Sequence, residues 1–176
     1  MRWLQKLFTY VKARPRMTAL CLFGFMVGVF VFSPWHVLLI KHQSVKYKLA
    51  LYAPVEASYS PRQGDYILVE WQGEDPNDIG LTKGLLLVKR VGCPPGGKLE
   101  IENGEAFFCD GVPIGMAATH TPPSGKPIKP VSFHSTSMDI PRHLVFLIGD
   151  NPQSYDSKYL GLFNISSIRG LVHFGF

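Results

Sequence analysis

Residues 17–40 contain no lysine, arginine, aspartate or glutamate in 24 positions, and this stretch limits the possible folds more than any other feature of the sequence. About 20 consecutive apolar residues suffice to cross the hydrocarbon core of a bilayer. We therefore predict a transmembrane anchor at residues 17–35, ending at Trp35, an aromatic residue suited to the membrane–water interface. A cleaved signal peptide is the alternative, although 16 residues precede the stretch and no clear cleavage site between small residues follows it.

The charged residues are unevenly distributed along the chain. The formal net charge of +5 would suit a nucleic-acid-binding protein. However, no acidic residue precedes Glu56, and from there onward acidic residues outnumber lysine and arginine. The positive-inside rule then keeps residues 1–16 in the cytoplasm and exports residues 36–176. We expect the lipid bilayer as a partner and no nucleic acid.

Two of the three cysteines lie in the exported part. Cys93 and Cys109 are 16 positions apart, and an oxidising compartment allows a disulfide between them to persist. Two buried free thiols are the alternative. Cys21 lies in the predicted anchor, where it acts as a small hydrophobic residue.

Short apolar runs separated by turn residues follow Pro34, which is typical of β-structure. Asn103-Gly104 predicts a hairpin turn, and four prolines at 119–130 predict an irregular loop. We therefore predict one mainly β domain at 36–176 on a single N-terminal transmembrane helix. The predicted strands are 36–40, 47–52, 65–71, 84–92, 98–103, 106–111, 143–149 and 169–176.

A lysine interrupts the apolar run GLLLVKRVG at residues 84–92. Lys89 must bury much of its aliphatic stem there. If its amine is buried as well, desolvation lowers the pKa of the amine and leaves a neutral group that can serve as a general base. The alternative is a lysine at the edge of the strand whose amine reaches water.

A second polar cluster, GDNPQSYDSKYLG at residues 149–161, directly follows an apolar run at 144–148. Glycine, aspartate, asparagine and serine all favour turns, so a solvent-exposed loop is one interpretation. The other is a polar network at the end of a strand that holds a neighbouring group in a defined electrostatic state.

Together the two segments resemble the signatures of the type I signal peptidase family. One family signature runs approximately Lys-Arg-Val-Val-Gly-x-Pro-Gly-Asp, and a later one has Gly-Asp-Asn followed by Ser-x-Asp-Ser-Arg. Departures from these patterns are Gly92, Cys93, Gly97 and Lys158, the last in place of arginine. The matching residues are Lys89, Arg90, Val91, Pro95, Gly96, Gly149, Asp150, Asn151, Ser154, Asp156 and Ser157.

The resemblance implies a serine nucleophile just beyond the membrane, in a box similar to Ser-Met-x-Pro. Ser44 in QSVKYKL is the candidate at that place, with Val45 in the position of the methionine and no proline at Tyr47. Ser137 precedes Met138 and looks closer to the box, but it follows Lys89 in the chain. Further alternatives are Ser58 and Ser60.

The resemblance also implies a Ser/Lys dyad mechanism. Lys89 would remove the Ser44 proton during attack on a peptide carbonyl and return it to the leaving amine. The main-chain N–H of Ser44 would stabilise the oxyanion. The family often takes a second donor from a hydroxyl two positions earlier, where this chain has His42.

The later signature implies supporting residues for the lysine. Ser154 would hydrogen-bond Lys89 and aim it at the nucleophile, and Asp150 belongs to the same network. Asp156 would pair with Lys158, and we expect a looser pair than with arginine because lysine lacks the bidentate geometry of a guanidinium. These residues and Cys93 with Cys109 complete the predicted set.

The small size, the cysteine pair and the SYDSKYLGL segment resemble the conjugative-transfer peptidases, which process pilin precursors. This implies a single-pass protein of the bacterial inner membrane with a periplasmic catalytic domain and an exported precursor as substrate. A general signal peptidase is one alternative, and an inactive membrane-tethered pilus-assembly protein is another. We expect no cofactor and no metal, since the six histidines lack metal-ligand spacing.

Overall fold

The computed structural model describes residues 15–41, 44–74, 80–117, 130, 131, 133 and 135–176. The chain forms two compact units, Met1–Trp35 and His36–Phe176. Most of the predicted cytoplasmic segment 1–16 and nearly all of the predicted loop 119–130 lie outside the described residues, as does His42.

The first unit contains one helix, α1 (Pro15–Phe32). Proline suits the first turn of a helix, and Pro34 stops the helix because the residue before a proline avoids the helical conformation. Within the described part of the chain, no helix combines the length and hydropathy required to cross a membrane. Several large apolar side chains of α1 are exposed, namely Met17, Leu20, Leu22, Phe23, Phe25, Met26, Val27 and Phe32.

The second unit is built from antiparallel strands that form two sheets, with the short helix α2 (Ser157–Leu160) near the end of the chain. The seven-stranded sheet has the order β1-β2-β11-β3-β4-β9-β10, and the four-stranded sheet has the order β7-β6-β5-β8. The strands are β1 (His36–Leu39), β2 (Leu49–Pro54), β3 (Tyr66–Glu70), β4 (Leu86–Cys93), β5 (Lys98–Glu102), β6 (Ala106–Cys109), β7 (Val112–Met116), β8 (Ser137–Asp139), β9 (Leu144–Ile148), β10 (Phe163–Asn164) and β11 (Ile168–Gly175).

The prediction of a mainly β domain is confirmed, and each of the eight predicted strands has a counterpart in the structure. Three further strands were not predicted. β8 and β10 have only three and two residues, too few for an alternating pattern, and β7 contains a proline and a glycine that weaken its strand signal. These segments are extended because they pair with neighbouring strands of the folded sheets, not because their own sequences alternate between apolar and polar residues.

The predicted hairpin joins β5 to β6, with three connecting residues because Glu102 pairs with Ala106. Asn103 and Gly104 have φ values of 53° and 74°. Asparagine and glycine are the residues that adopt this left-handed conformation at least cost.

Strand β9 lies between two hydrophobic cores. Phe146 and Ile148 pack into a core with residues of the four-stranded sheet, such as Leu99. Val145 and Leu147 pack on the other side into a second core that includes Val91 of β4. Burial of both faces explains why this strand is a continuous apolar run.

The predicted disulfide between Cys93 and Cys109 is present. It joins the last residue of β4 to the last residue of β6, so it links the two sheets covalently. A Cβ added at Gly97 would lie 2.9 Å from the Cys93 sulfur and 3.2 Å from the Cys109 sulfur, so the close packing here favours glycine.

We predict that replacing both Cys93 and Cys109 with alanine lowers the free energy of unfolding by about 3 kcal/mol, since the bond closes a short loop and restricts the unfolded chain. Denaturant unfolding of the full-length protein in detergent micelles measures the difference. Cys21→Ala is the control, because Cys21 is free and exposed. Equal stability of the double variant and the wild type would contradict the prediction.

Candidate active site

Lys89 lies in β4, an interior strand of the seven-stranded sheet that pairs with β3 and β9. Leu87 and Val91, two residues before and after it, contact the second core, so alternation along the strand points Lys89 toward the same side. Its side chain is only 1% exposed. The amine donates a hydrogen bond to Ser154 Oγ at 2.7 Å. The interpretation of Lys89 as an edge lysine in water is therefore wrong.

Burial lowers the pKa of Lys89 from 10.5 to about 8. Desolvation is the main cause, because the charged ammonium loses its hydration. The carboxylate of Asp156 raises this pKa, and the ammonium of Lys158 lowers it. A substantial fraction of Lys89 is consequently neutral at mildly alkaline pH, the form that a general base requires.

The segment after β9 is folded back against the strand by buried side chains. Ser157 Oγ accepts a hydrogen bond from the Leu147 N–H at 2.8 Å, and Asp156 accepts one from the Gly149 N–H at 2.8 Å. Asp156 also caps α2 by accepting from the N–H of Lys158. This arrangement is a fixed polar network rather than a solvent-exposed loop, and it holds Ser154 beside Lys89.

Asp156 and Lys158 form a close, buried ion pair. The Lys158 amine lies 2.8 Å from Asp156 Oδ1 and 2.6 Å from Oδ2, and the two side chains are 2% and 0% exposed, respectively. The expectation of a looser pair was wrong. Burial excludes water that would compete for the carboxylate, and one ammonium reaches both oxygens over the two-residue separation.

Ser44 approaches this network through its main chain. Its carbonyl oxygen accepts a hydrogen bond from the Asp150 N–H at 2.8 Å. A Cβ added at Gly149 would lie 2.6 Å from the same Ser44 oxygen and would also clash with Ser154 Oγ. Only glycine therefore lets the end of β9 approach Ser44 and Ser154 so closely. This contact brings the main chain of Ser44 near the Lys89–Ser154 pair.

Val45, the residue after Ser44, is buried against Leu68 of β3 and Val88 of β4. An apolar contact is thus present at the position where the family box has methionine. Val88 directly precedes Lys89, so the packing also ties the Ser44 segment to the lysine strand. Among the described residues, the Ser44 hydroxyl has no hydrogen-bond partner, and the Lys89 amine bonds to Ser154.

Asp150 forms a hydrogen-bonded centre next to Ser44. Its carboxylate accepts hydrogen bonds from the Tyr66 hydroxyl, from Arg90 Nε at 3.1 Å and from the N–H of Lys46 at 3.1 Å. Sequence reasoning included Asp150 and Arg90 but missed Tyr66. Tyr66 lies directly opposite Arg90 in the pairing of β3 with β4. That position would have indicated Tyr66, but it can be recognised only when the register of the two strands is known.

The other serine candidates lie elsewhere. Ser137 is in β8, an edge strand of the four-stranded sheet, whereas Lys89 is in the seven-stranded sheet. Ser58 and Ser60 are exposed, and the Ser58 hydroxyl donates to Glu56. The part of the chain that the structure describes holds no cluster of three or more potential metal ligands. Of the histidines, 42, 120 and 134 fall outside that part.

The family model described as "Signal peptidase, peptidase S26" matches residues 9–176. This chain belongs to the signal peptidase family. It is accordingly a serine endopeptidase.

A solved structure of a signal peptidase I from Enterococcus faecalis V583 is 21% identical to this signal peptidase, with a TM-score of 0.38. The match covers 65% of this chain and 98% of that chain. No curated protein matches the sequence.

We predict that Lys89→Met stabilises the protein at pH 7, by roughly 2–3 kcal/mol, because methionine removes a buried group whose charged form is disfavoured in the folded state. The folded pKa of about 8 lies below the unfolded value of 10.5. The penalty is therefore complete below pH 8 and disappears as the pH rises to 10.5.

Denaturant unfolding of wild type and Lys89→Met at pH 7 and pH 10.5 tests this difference. The stabilisation should shrink at the higher pH. A variant that is destabilised equally at both pH values would show that the lysine amine is not desolvated in the folded protein.

Proposed function

We propose that Ser44 and Lys89 form the catalytic dyad of this signal peptidase and that it cleaves exported precursor proteins. The main support is the buried Lys89 amine, whose pKa is lowered to about 8 and which Ser154 holds beside the segment that carries Ser44. A desolvated amine near neutrality supplies the base that a serine hydroxyl needs.

In this mechanism the neutral amine of Lys89 takes the Ser44 proton as Oγ bonds to the substrate carbonyl carbon. The peptide C–N bond then breaks, and the lysine returns the proton to the leaving amine. Water, activated by the same amine, attacks the acyl-enzyme ester and releases the new carboxyl end. The Ser44 N–H donates to no described residue, so it is free to stabilise the oxyanion.

The supporting residues have separate tasks in this proposal. Ser154 accepts from the Lys89 amine and so restricts its direction. The Asp156–Lys158 pair fixes the turn that carries Ser154, and its two charges influence the lysine pKa in opposite directions. A precise site requires such support because a nucleophile and base must stay within hydrogen-bond reach.

We further propose that residues 17–35 anchor the protein in the bacterial inner membrane with residues 1–16 in the cytoplasm and residues 36–176 in the periplasm. The support is the absence of charged residues from 17–40, a stretch that extends beyond the end of α1 at Phe32, and the exposed apolar side chains of α1. An anchor of this kind would keep the catalytic domain close to precursors that are still held in the membrane by their leader peptides.

Pilin precursors of a conjugative transfer system are the substrates that we propose. The support is the resemblance of the small chain, its SYDSKYLGL segment and its cysteine pair to the conjugative-transfer peptidases, together with the disulfide that this pair forms. The general signal peptidase remains the alternative of the same class, since the family match includes it equally.

We predict that Ser44→Ala and Lys89→Ala each abolish cleavage of a reporter precursor whose leader ends in Ala-Gln-Ala, when the full-length protein and the precursor are reconstituted in the same vesicles. Ser137→Ala is the matched control and should cleave normally. Normal cleavage by either dyad variant would overturn the assignment.

The same assay compares substrates. A conjugative pilin precursor and a secretory precursor, supplied in competition, should be cleaved at different rates, with the pilin precursor favoured. Mass spectrometry of the mature termini identifies the cleavage site. Equal rates for the two precursors would instead support a general signal peptidase.

We also predict that kcat/KM increases as the pH rises from 6 to 9, with a midpoint near pH 8, because only the neutral form of Lys89 accepts the serine proton. Initial rates with the reporter precursor at constant ionic strength measure this profile. A rate that is independent of pH over this range would contradict the role of Lys89 as the base.

A further inference from the structure

The Asp150 side chain contacts three parts of the chain at once. Both carboxylate oxygens accept from the Tyr66 hydroxyl, at 3.0 Å and 2.9 Å. Arg90 Nε donates to Oδ1 at 3.1 Å, and the two charged side chains form an ion pair through this contact. Oδ2 accepts the main-chain N–H of Lys46 at 3.1 Å. Tyr66 and Arg90 are opposite each other on β3 and β4, so the sheet fixes two of the donors.

Asp150 contacts the Ser44 segment at two points, the carbonyl of Ser44 and the N–H of Lys46. The Asp150 N–H donates to the Ser44 oxygen at 2.8 Å, and the Asp150 carboxylate accepts from the N–H two residues later, at Lys46. Both interactions involve main-chain groups of residues 44–46 rather than their side chains. They orient residues 44–46 while the Ser44 hydroxyl and N–H remain available for chemistry.

Tyr66 also contacts the next residue of the segment. Its ring lies edge-on to the Tyr47 ring, with 5.2 Å between the centroids. A Cβ added at Gly175 of β11 would clash with the Tyr47 ring, so Tyr47 rests directly on the β11 backbone. Contacts with Tyr66 and with the β11 backbone therefore restrict the Tyr47 side chain at the end of the Ser44 segment.

We propose that Tyr66 is a positioning residue for peptide cleavage: through Asp150 it holds residues 44–46 in the orientation that presents Ser44 to Lys89. This inference rests on the proposed role of Ser44. Burial and the Asp150 carboxylate raise the pKa of Tyr66, so its hydroxyl remains a proton donor over the working pH range. A carboxylate held by Tyr66 and Arg90 loses rotational freedom, and the N–H of Lys46 then meets an acceptor at a defined position.

Tyr66→Phe isolates this contribution, because it removes the hydroxyl and keeps the ring against Tyr47. Tyr59→Phe is the matched control. Tyr59 donates to Asp65 Oδ2 at 2.8 Å, so the control also loses one tyrosine–aspartate hydrogen bond, but in a contact that does not involve residues 44–46.

The experiment uses the full-length protein in vesicles and the reporter precursor whose leader ends in Ala-Gln-Ala. For Tyr66→Phe we expect kcat to fall about tenfold while KM stays within about twofold, because the loss affects alignment of the nucleophile rather than substrate binding. Tyr59→Phe should match the wild type in both constants.

Amide hydrogen exchange provides a readout that needs no activity. The peptide containing the Lys46 amide should exchange faster in Tyr66→Phe than in wild type and should be unchanged in Tyr59→Phe. If Tyr66→Phe resembles Tyr59→Phe in kcat and in exchange, the positioning role is wrong. A loss of kcat with unchanged exchange at Lys46 would also overturn it.

The outcome for Ser44→Ala separates this inference from the proposed function. If Ser44→Ala is inactive and Tyr66→Phe is normal, the dyad stands and the positioning role fails. If Ser44→Ala remains active, the nucleophile assignment fails, and the kinetic role of Tyr66 fails with it. Faster exchange at Lys46 in Tyr66→Phe would then report only a structural contact.

Discussion

Lys89 carries its amine into the interior of a seven-stranded sheet, where it is 1% exposed and bonded to one serine hydroxyl. A buried amine is costly in its charged form, so the pKa falls and the neutral form becomes accessible near physiological pH. The arrangement requires that β3 and β9, the strands on either side of β4, be buried and that one polar group reach the amine. Both conditions depend on the packing of much of the domain.

The turn after β9 satisfies the second condition by burying more polar groups. Ser154 reaches Lys89 because Ser157 and Asp156 attach the turn to the backbone of β9, and Lys158 neutralises Asp156. Removing one partner of a buried ion pair leaves an uncompensated charge, so such networks are stable only when complete. The same turn places Gly149 and Asp150 against the Ser44 carbonyl, and this links the base to the proposed nucleophile.

Several parts of this arrangement follow from local sequence. The alternating runs predicted the main strands, the exported cysteines predicted a disulfide, and the apolar neighbours of Lys89 made a buried amine one of two interpretations. Short strands such as β8 and β10 could not be predicted, because two or three residues are too few to show the apolar–polar alternation of a strand. The closeness of the Asp156–Lys158 pair was also missed, since sequence pattern carries no information on how completely water is excluded from a turn.

The sequence by itself determined the β-rich class, because alternation of apolar residues is a local property. It left the Lys89 amine either buried or in water, and only the resemblance to the signal peptidase family indicated the residues of the supporting turn. Only the tertiary structure decided which groups meet. Lys89 bonds Ser154 across 65 residues, Tyr66 bonds Asp150 across 84, and Lys46 bonds Asp150 across 104. Contacts over such separations depend on strand order and register, which are set by the packing of the whole domain rather than by any one segment.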